Sequence, residues 1–264
     1  QAAGLALVAA YAVFQVVRHG PWRWRLEWPV VIALVRLGLV YATALFLITL
    51  NYRANVLLLR EWSSLEQVGL YVVGANIAQL IWQVPGTMSA VVLSRSANAR
   101  DDRAFTDKIG VLVRLSVLLG ALGAAGLAMI GLLAIPLIYG LDFARSALVL
   151  ACLLPGVVAM VAFKILNVDL AGKGKPWVAM IAVLPALATN AALAWVLIPA
   201  HGAVGAAVAG SLTYVLTAGL YLVLYCRAVG VPLSGFVRPR FSDLAFLRDR
   251  LPLPRRLRPI KVQL

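Results

Sequence analysis

Long apolar stretches alternate along the chain with short polar ones. Residues 111–140 and 177–198, for example, are almost unbroken runs of Leu, Val, Ala, Ile and Gly. A bilayer core about 30 Å thick needs roughly 20 apolar residues as helix, and several runs reach that length. None alternates residue by residue, as the segments of about 10 residues in a membrane β-barrel do. The pattern predicts seven spans, at residues 1–17, 30–59, 67–94, 109–139, 147–170, 177–198 and 203–226. Breakers interrupt three of them in mid-span, at Pro85-Gly86, Pro155-Gly156 and Pro185. Proline removes a backbone donor and kinks a helix there. Small residues at four-residue spacing, such as Gly202, Ala206 and Gly210, predict close helix packing.

Composition makes the membrane reading firm. Of the 264 residues, 62% are hydrophobic and only 13% charged, about half the charge of a soluble domain. Mean hydropathy is +0.92. The expected fold is therefore an all-α polytopic membrane protein. The net charge of +14 also suits a nucleic-acid binder, but the basic residues sit between apolar runs rather than on a polar surface. They mark cytoplasmic loops and anionic lipid headgroups instead. Arg18, Arg23 and Arg25 lie in one loop, Arg95, Arg100, Arg103 and Lys108 in the next loop of that side, and Lys173 and Lys175 in a third. Nine more lie from Arg227 to Lys261. The intervening loops hold only Arg60 and Arg145. The positive-inside rule then places the C-terminus in the cytoplasm. Trp22, Trp24 and Trp28 border the first basic loop, where an aromatic belt belongs. Gln1 opens inside an apolar run, so the chain reads as the C-terminal portion of a longer protein. Cys152 and Cys226 fall in apolar runs and read as packing residues.

Polar residues within spans are costly and tend to face a cavity or another helix. Asn76, Gln79, Gln83 and Thr87 are spaced to share one helical face. Tyr214, Thr217, Tyr221 and Tyr225 repeat the pattern in the last span. Arg36, Thr43 and Asn51 share an arc of the second span, with Arg53 and Asn55 near its outer end. Arg36, Arg53, Arg114 and Lys164 stand against one in-span acid, Asp169, which is placed to pair with Lys173. Snorkelling to the interface accounts for Arg114 and competes with a lumenal role for Arg36. A cavity lined by such cations draws in anions, with phosphate and acidic sugars the natural candidates. The spans hold too few carboxylates for a cation exporter. No nucleotide-binding, metalloprotease or serine-hydrolase signature is present, so neither enzymatic activity nor a cofactor or metal is expected.

Two stretches resemble a known family. Asn51-Tyr-Arg-Ala-Asn-Val-Leu-Leu-Leu followed by Ser63-Ser-Leu-Glu-Gln-Val-Gly-Leu-Tyr71 is similar to the seventh helix, outer loop and eighth helix of polysaccharide flippases. Residues 166–174, Asn190, Leu197-Ile-Pro-Ala-His-Gly-Ala-Val-Gly-Ala-Ala207 and Tyr214 are similar to their last helices. These flippases belong to the multidrug/oligosaccharidyl-lipid/polysaccharide exporter superfamily. The resemblance implies two six-helix lobes around a central cavity. Residues 1–17 would then be the last helix of a preceding N-terminal lobe and 18–29 a cytoplasmic linker. Residues 30–226 would form the C-terminal six-helix lobe and 227–264 a basic cytoplasmic tail.

The implied activity is flipping of an undecaprenyl-pyrophosphate-linked oligosaccharide across the bacterial inner membrane by alternating access, for O-antigen or other surface polysaccharide. The implied partners are that glycolipid, the preceding lobe and a glycan polymerase, besides anionic lipids at the basic loops and tail. Arg36, Arg53 and Lys164 would attract pyrophosphate or acidic sugar. Asn55, Asn76, Gln79, Gln83, Tyr214 and Tyr221 would meet the glycan. Relatives often carry Asp where Asn55 stands, so the chain departs from the family pattern there. A multidrug exporter of the same superfamily and a non-transporting scaffold for glycan synthesis remain as alternatives.

Overall fold

A computed structural model describes residues 10, 11, 14, 15, 18, 27–98 and 103–237. Among them every regular element is helical: α1 (Trp28–Trp62), α2 (Leu65–Ala78), α3 (Gln83–Asn98), α4 (Arg103–Tyr139), α5 (Ser146–Gly172), α6 (Val178–Val229) and the short α7 (Ser234–Val237). Single 3₁₀ segments lie at Gln79–Trp82 and Leu141–Phe143. The protein is a multi-pass integral membrane protein, because α1, α4, α5 and α6 are each long and apolar enough to cross a bilayer. Most of the predicted first span and linker, and the tail beyond Val237, lie outside the described residues. The chain divides into two compact units, Gln1–Val40 and Tyr41–Leu264.

Within the second unit α5 is the central helix, packed against α2, α3, α4 and α6. Both faces of its apolar sequence are therefore buried, including Leu153, Met160, Phe163 and Leu166. Its mid-helix break works as a contact. Pro155 disrupts the helical ladder, and the Gly156 N–H donates to Ser211 Oγ of α6 at 2.9 Å. A Cβ on Gly156 would stand 2.6 Å from Ser211 Cα, so only glycine allows this approach.

The 52 residues of α6 would measure about 78 Å if straight, more than twice the bilayer core. Gly202 breaks them, at φ 54° and ψ −128°. Thr213 Oγ1 then donates to Asn190 Oδ1 at 3.2 Å. In a straight helix 23 residues rise about 35 Å, so the two halves fold back on each other as a hairpin. They correspond to the predicted spans 177–198 and 203–226. Gln67 at the start of α2 pins the break, its Oε1 accepting from Ala203 N at 2.9 Å.

The predicted span 67–94 is also broken. Residues Leu65–Trp82 and Pro85–Asn98 meet at 44°, with the 3₁₀ segment just ahead of Pro85. The bend falls at the predicted Pro85-Gly86 breaker. It also disrupts the stripe from Asn76 to Thr87, since a 3₁₀ turn advances each residue by more than an α-turn does. The single straight face expected for those four residues is not what forms.

Candidate functional site

The feature with most chemistry is a cation in an aromatic setting. α5 projects Lys164, half-buried, between side chains of two other elements. Its Nζ lies 4.4 Å from the ring centroid of Trp82 and 4.8 Å from that of Tyr52. The two rings are 4.8 Å apart, and Tyr214 of α6 closes the cluster with its ring 6.0 Å from each. Trp82 is fixed by its indole N–H, which donates to Val157 O at 2.9 Å. An aromatic face stabilises an ammonium through its quadrupole, by about 0.5–2 kcal/mol depending on desolvation. It leaves the charge itself uncompensated. Among the described residues no carboxylate pairs with Lys164.

A second set of polar groups is buried without partners. Asn51 is buried with both side-chain polar atoms unpaired, as are Asn190 Nδ2 and the Tyr52 hydroxyl. Asn55 faces Tyr71 without a hydrogen bond of good geometry. Its amide fits only because Gly210 has no Cβ, which would stand 2.5 Å from Asn55 Nδ2. Buried amides without partners are costly and are usually solvated.

The third cluster is the buried acid. Asp169 accepts from Ser96 Oγ of α3 at 2.6 Å, from Lys173 Nζ at 2.7 Å and from the Tyr225 hydroxyl of α6 at 2.7 Å. The expected Asp169–Lys173 pair is therefore present, and two further donors join it. Tyr225 stacks edge-on against Phe236 of α7. With both oxygens engaged, Asp169 is a structural tie between helices.

The other candidate residues are dispersed. Arg36 lies in the unit Gln1–Val40 and is exposed, as is Arg53 in the second unit. Asn76 and Gln83 are exposed, and Gln79 is half-buried. Tyr221 is fully buried, donating to Asn167 Oδ1 at 3.3 Å with its ring against Phe163. Arg114 Nη1 donates to the Gly235 carbonyl of α7. Sequence reasoning missed Tyr52 and Trp82, whose only signal was an aromatic residue beside polar in-span positions, Asn51 and Arg53 for Tyr52 and Gln83 for Trp82.

A sequence model of one family, described as lipid II flippase MurJ, matches residues 76–245. The chain belongs to this family. The match covers well over half of the chain and takes in Trp82, Lys164 and Tyr214. The lipid II flippase family moves a lipid-linked precursor across the membrane, which agrees with the superfamily indicated by the motif residues. The matching model is nevertheless the lipid II one, not a polysaccharide-flippase one. No curated protein and no solved structure matches the chain.

Proposed function

We propose that this chain forms the C-terminal lobe of a flippase that carries a polyprenyl-pyrophosphate-linked glycan across the bacterial inner membrane by alternating access. The observation that carries the proposal is Lys164, a half-buried ammonium held over two aromatic faces with no acid among the described residues to neutralise it. A pyrophosphate supplies the missing counter-charge. The attraction is strong there, because the surroundings screen charge less than water does. Half-buried Tyr52 lies beside the ammonium as an aromatic contact for a sugar, while buried Trp82 and Tyr214 pack against Tyr52 and hold the cluster in place. Exposed Arg53, Asn76 and Gln83 border the lobe surface, where they would draw in the anionic head group and bond glycan hydroxyls. The lipid tail stays in the bilayer.

The basic loops and tail support a cytoplasmic C-terminus held by anionic lipids. A preceding lobe would complete the lumen, and a glycan polymerase would take the product.

Two cargoes have support. The family match favours the peptidoglycan precursor lipid II. The motif residues around Asn51 and His201 favour an oligosaccharide for O-antigen or other surface polysaccharide. Complementation separates them. Growth of cells depleted of their lipid II flippase is expected on expression of the full-length protein. Restoration of surface polysaccharide alone would assign the other cargo. Rescue of neither strain by a well-expressed, membrane-inserted protein would remove glycan flipping from consideration.

A further inference from the structure

A polar cavity lies where α4 begins and α5 hands over to α6. Its volume is about 430 Å³, and its walls include Arg103, Thr106, Lys173, Lys175 and the end of α6 from Ala228. Among the described residues three cations line it and no carboxylate does. Among the described residues the acid paired with this group is Asp169, which neutralises Lys173 across 2.7 Å. Lys175 Nζ rests on the Ala228 carbonyl at 3.3 Å, which orients the ammonium without cancelling its charge. Arg103 and Lys175 therefore leave surplus positive charge in a concave site. A cavity with low-dielectric walls concentrates such a field. Trp177, two residues beyond Lys175, is 50% exposed, as suits an aromatic ring at a membrane interface.

From these observations we infer that the pocket binds the phosphate group of a membrane lipid. A guanidinium and two ammonium groups supply charge-assisted donors, while Val229 and Val231 give an apolar wall for the glycerol or isoprenyl portion next to the phosphate. The chemistry is shared by an ordinary anionic phospholipid and by a polyprenyl phosphate. Occupancy has a consequence inside the protein. Lys173 is common to the pocket and to Asp169, and Asp169 is held by Ser96 of α3 and Tyr225 of α6. A bound phosphate therefore acts on the point where α3, α5 and α6 are tied together, and stabilises the lobe. This inference needs only membrane embedding, and stands or falls independently of glycan flipping.

Native mass spectrometry and thermal unfolding of the detergent-solubilised full chain test it. The probes are phosphatidylglycerol, a polyprenyl phosphate, phosphatidylcholine and inorganic phosphate. Lys173 is left intact because it also neutralises Asp169. The R103Q/K175Q double variant is compared with R255Q/R256Q, which removes equal charge from the tail. The expected result is retention of phosphatidylglycerol or the polyprenyl phosphate over phosphatidylcholine, with a higher unfolding midpoint when bound. R103Q/K175Q should weaken that binding by about tenfold or more, while R255Q/R256Q changes it less than about twofold. The lipid retained more strongly names the source. Equal loss in the two double variants, or stabilisation by inorganic phosphate with no lipid preference, would overturn the inference.

Discussion

Single residues hold this lobe together at places where no substitute fits. Gly202 has a positive φ, and a Cβ there would stand 2.5 Å from Gln67 Oε1. A strained backbone of this type costs about 1–3 kcal/mol, and the side-chain clash adds to it. G202A is therefore expected to lower the unfolding midpoint by several degrees in detergent, and an unchanged midpoint would contradict the pinned break. Asp169 is the other such position. D169N removes the charge opposite Lys173, whose side chain is only 7% exposed. Breaking a buried pair by removing one partner costs about 3–5 kcal/mol, so this variant should be less stable than G202A. The i,i+4 spacing made Asp169–Lys173 readable from sequence. Ser96 and Tyr225 were not, because each arrives from another helix more than fifty positions away in the chain.

The same distinction holds for whole elements. Hydropathy located the long apolar helices among the described residues, because burying an apolar helix in lipid depends on local composition. It also separated residues 177–198 from 203–226, which the backbone joins into one 52-residue helix broken at Gly202. Periodicity failed in the stretch from Asn76 to Thr87, because it assumes a uniform 100° step and a 3₁₀ turn intervenes. The hairpin makes a direct prediction. With Cys152 and Cys226 replaced by serine, N190C and T213C should join through a short bifunctional cross-linker, and a mass shift on peptide mapping would report it. An unbroken α6 would hold these positions about 35 Å apart and give no cross-link. The Gly156–Ser211 approach is equally demanding. G156L would force α5 away from α6 and should reduce folded yield far more than L148A, whose side chain is exposed.

At the scale of the whole molecule, charge and aromatic residues divide the work. Basic residues crowd the loops and ends that the positive-inside rule assigns to the cytoplasm, and some of them form the pocket around Lys173 and Lys175. Among the packed helices one half-buried lysine lies over two aromatic rings, with a third, Tyr214, against both. The sequence showed Lys164 as an in-span cation and Tyr214 as part of a stripe. It could not show that Tyr52 and Trp82 flank the ammonium, since α1, the 3₁₀ segment and α5 meet only in the folded lobe. On the proposed function, this ammonium engages the anionic head group of the cargo. The direct test is flipping of a fluorescent polyprenyl-pyrophosphate-linked glycan in proteoliposomes by the full-length protein and by its K164A and K164R variants, at matched insertion. K164A is expected to lose at least tenfold, about 1.4 kcal/mol or more of stabilisation, with partial activity in K164R. Wild-type flipping by K164A would contradict it.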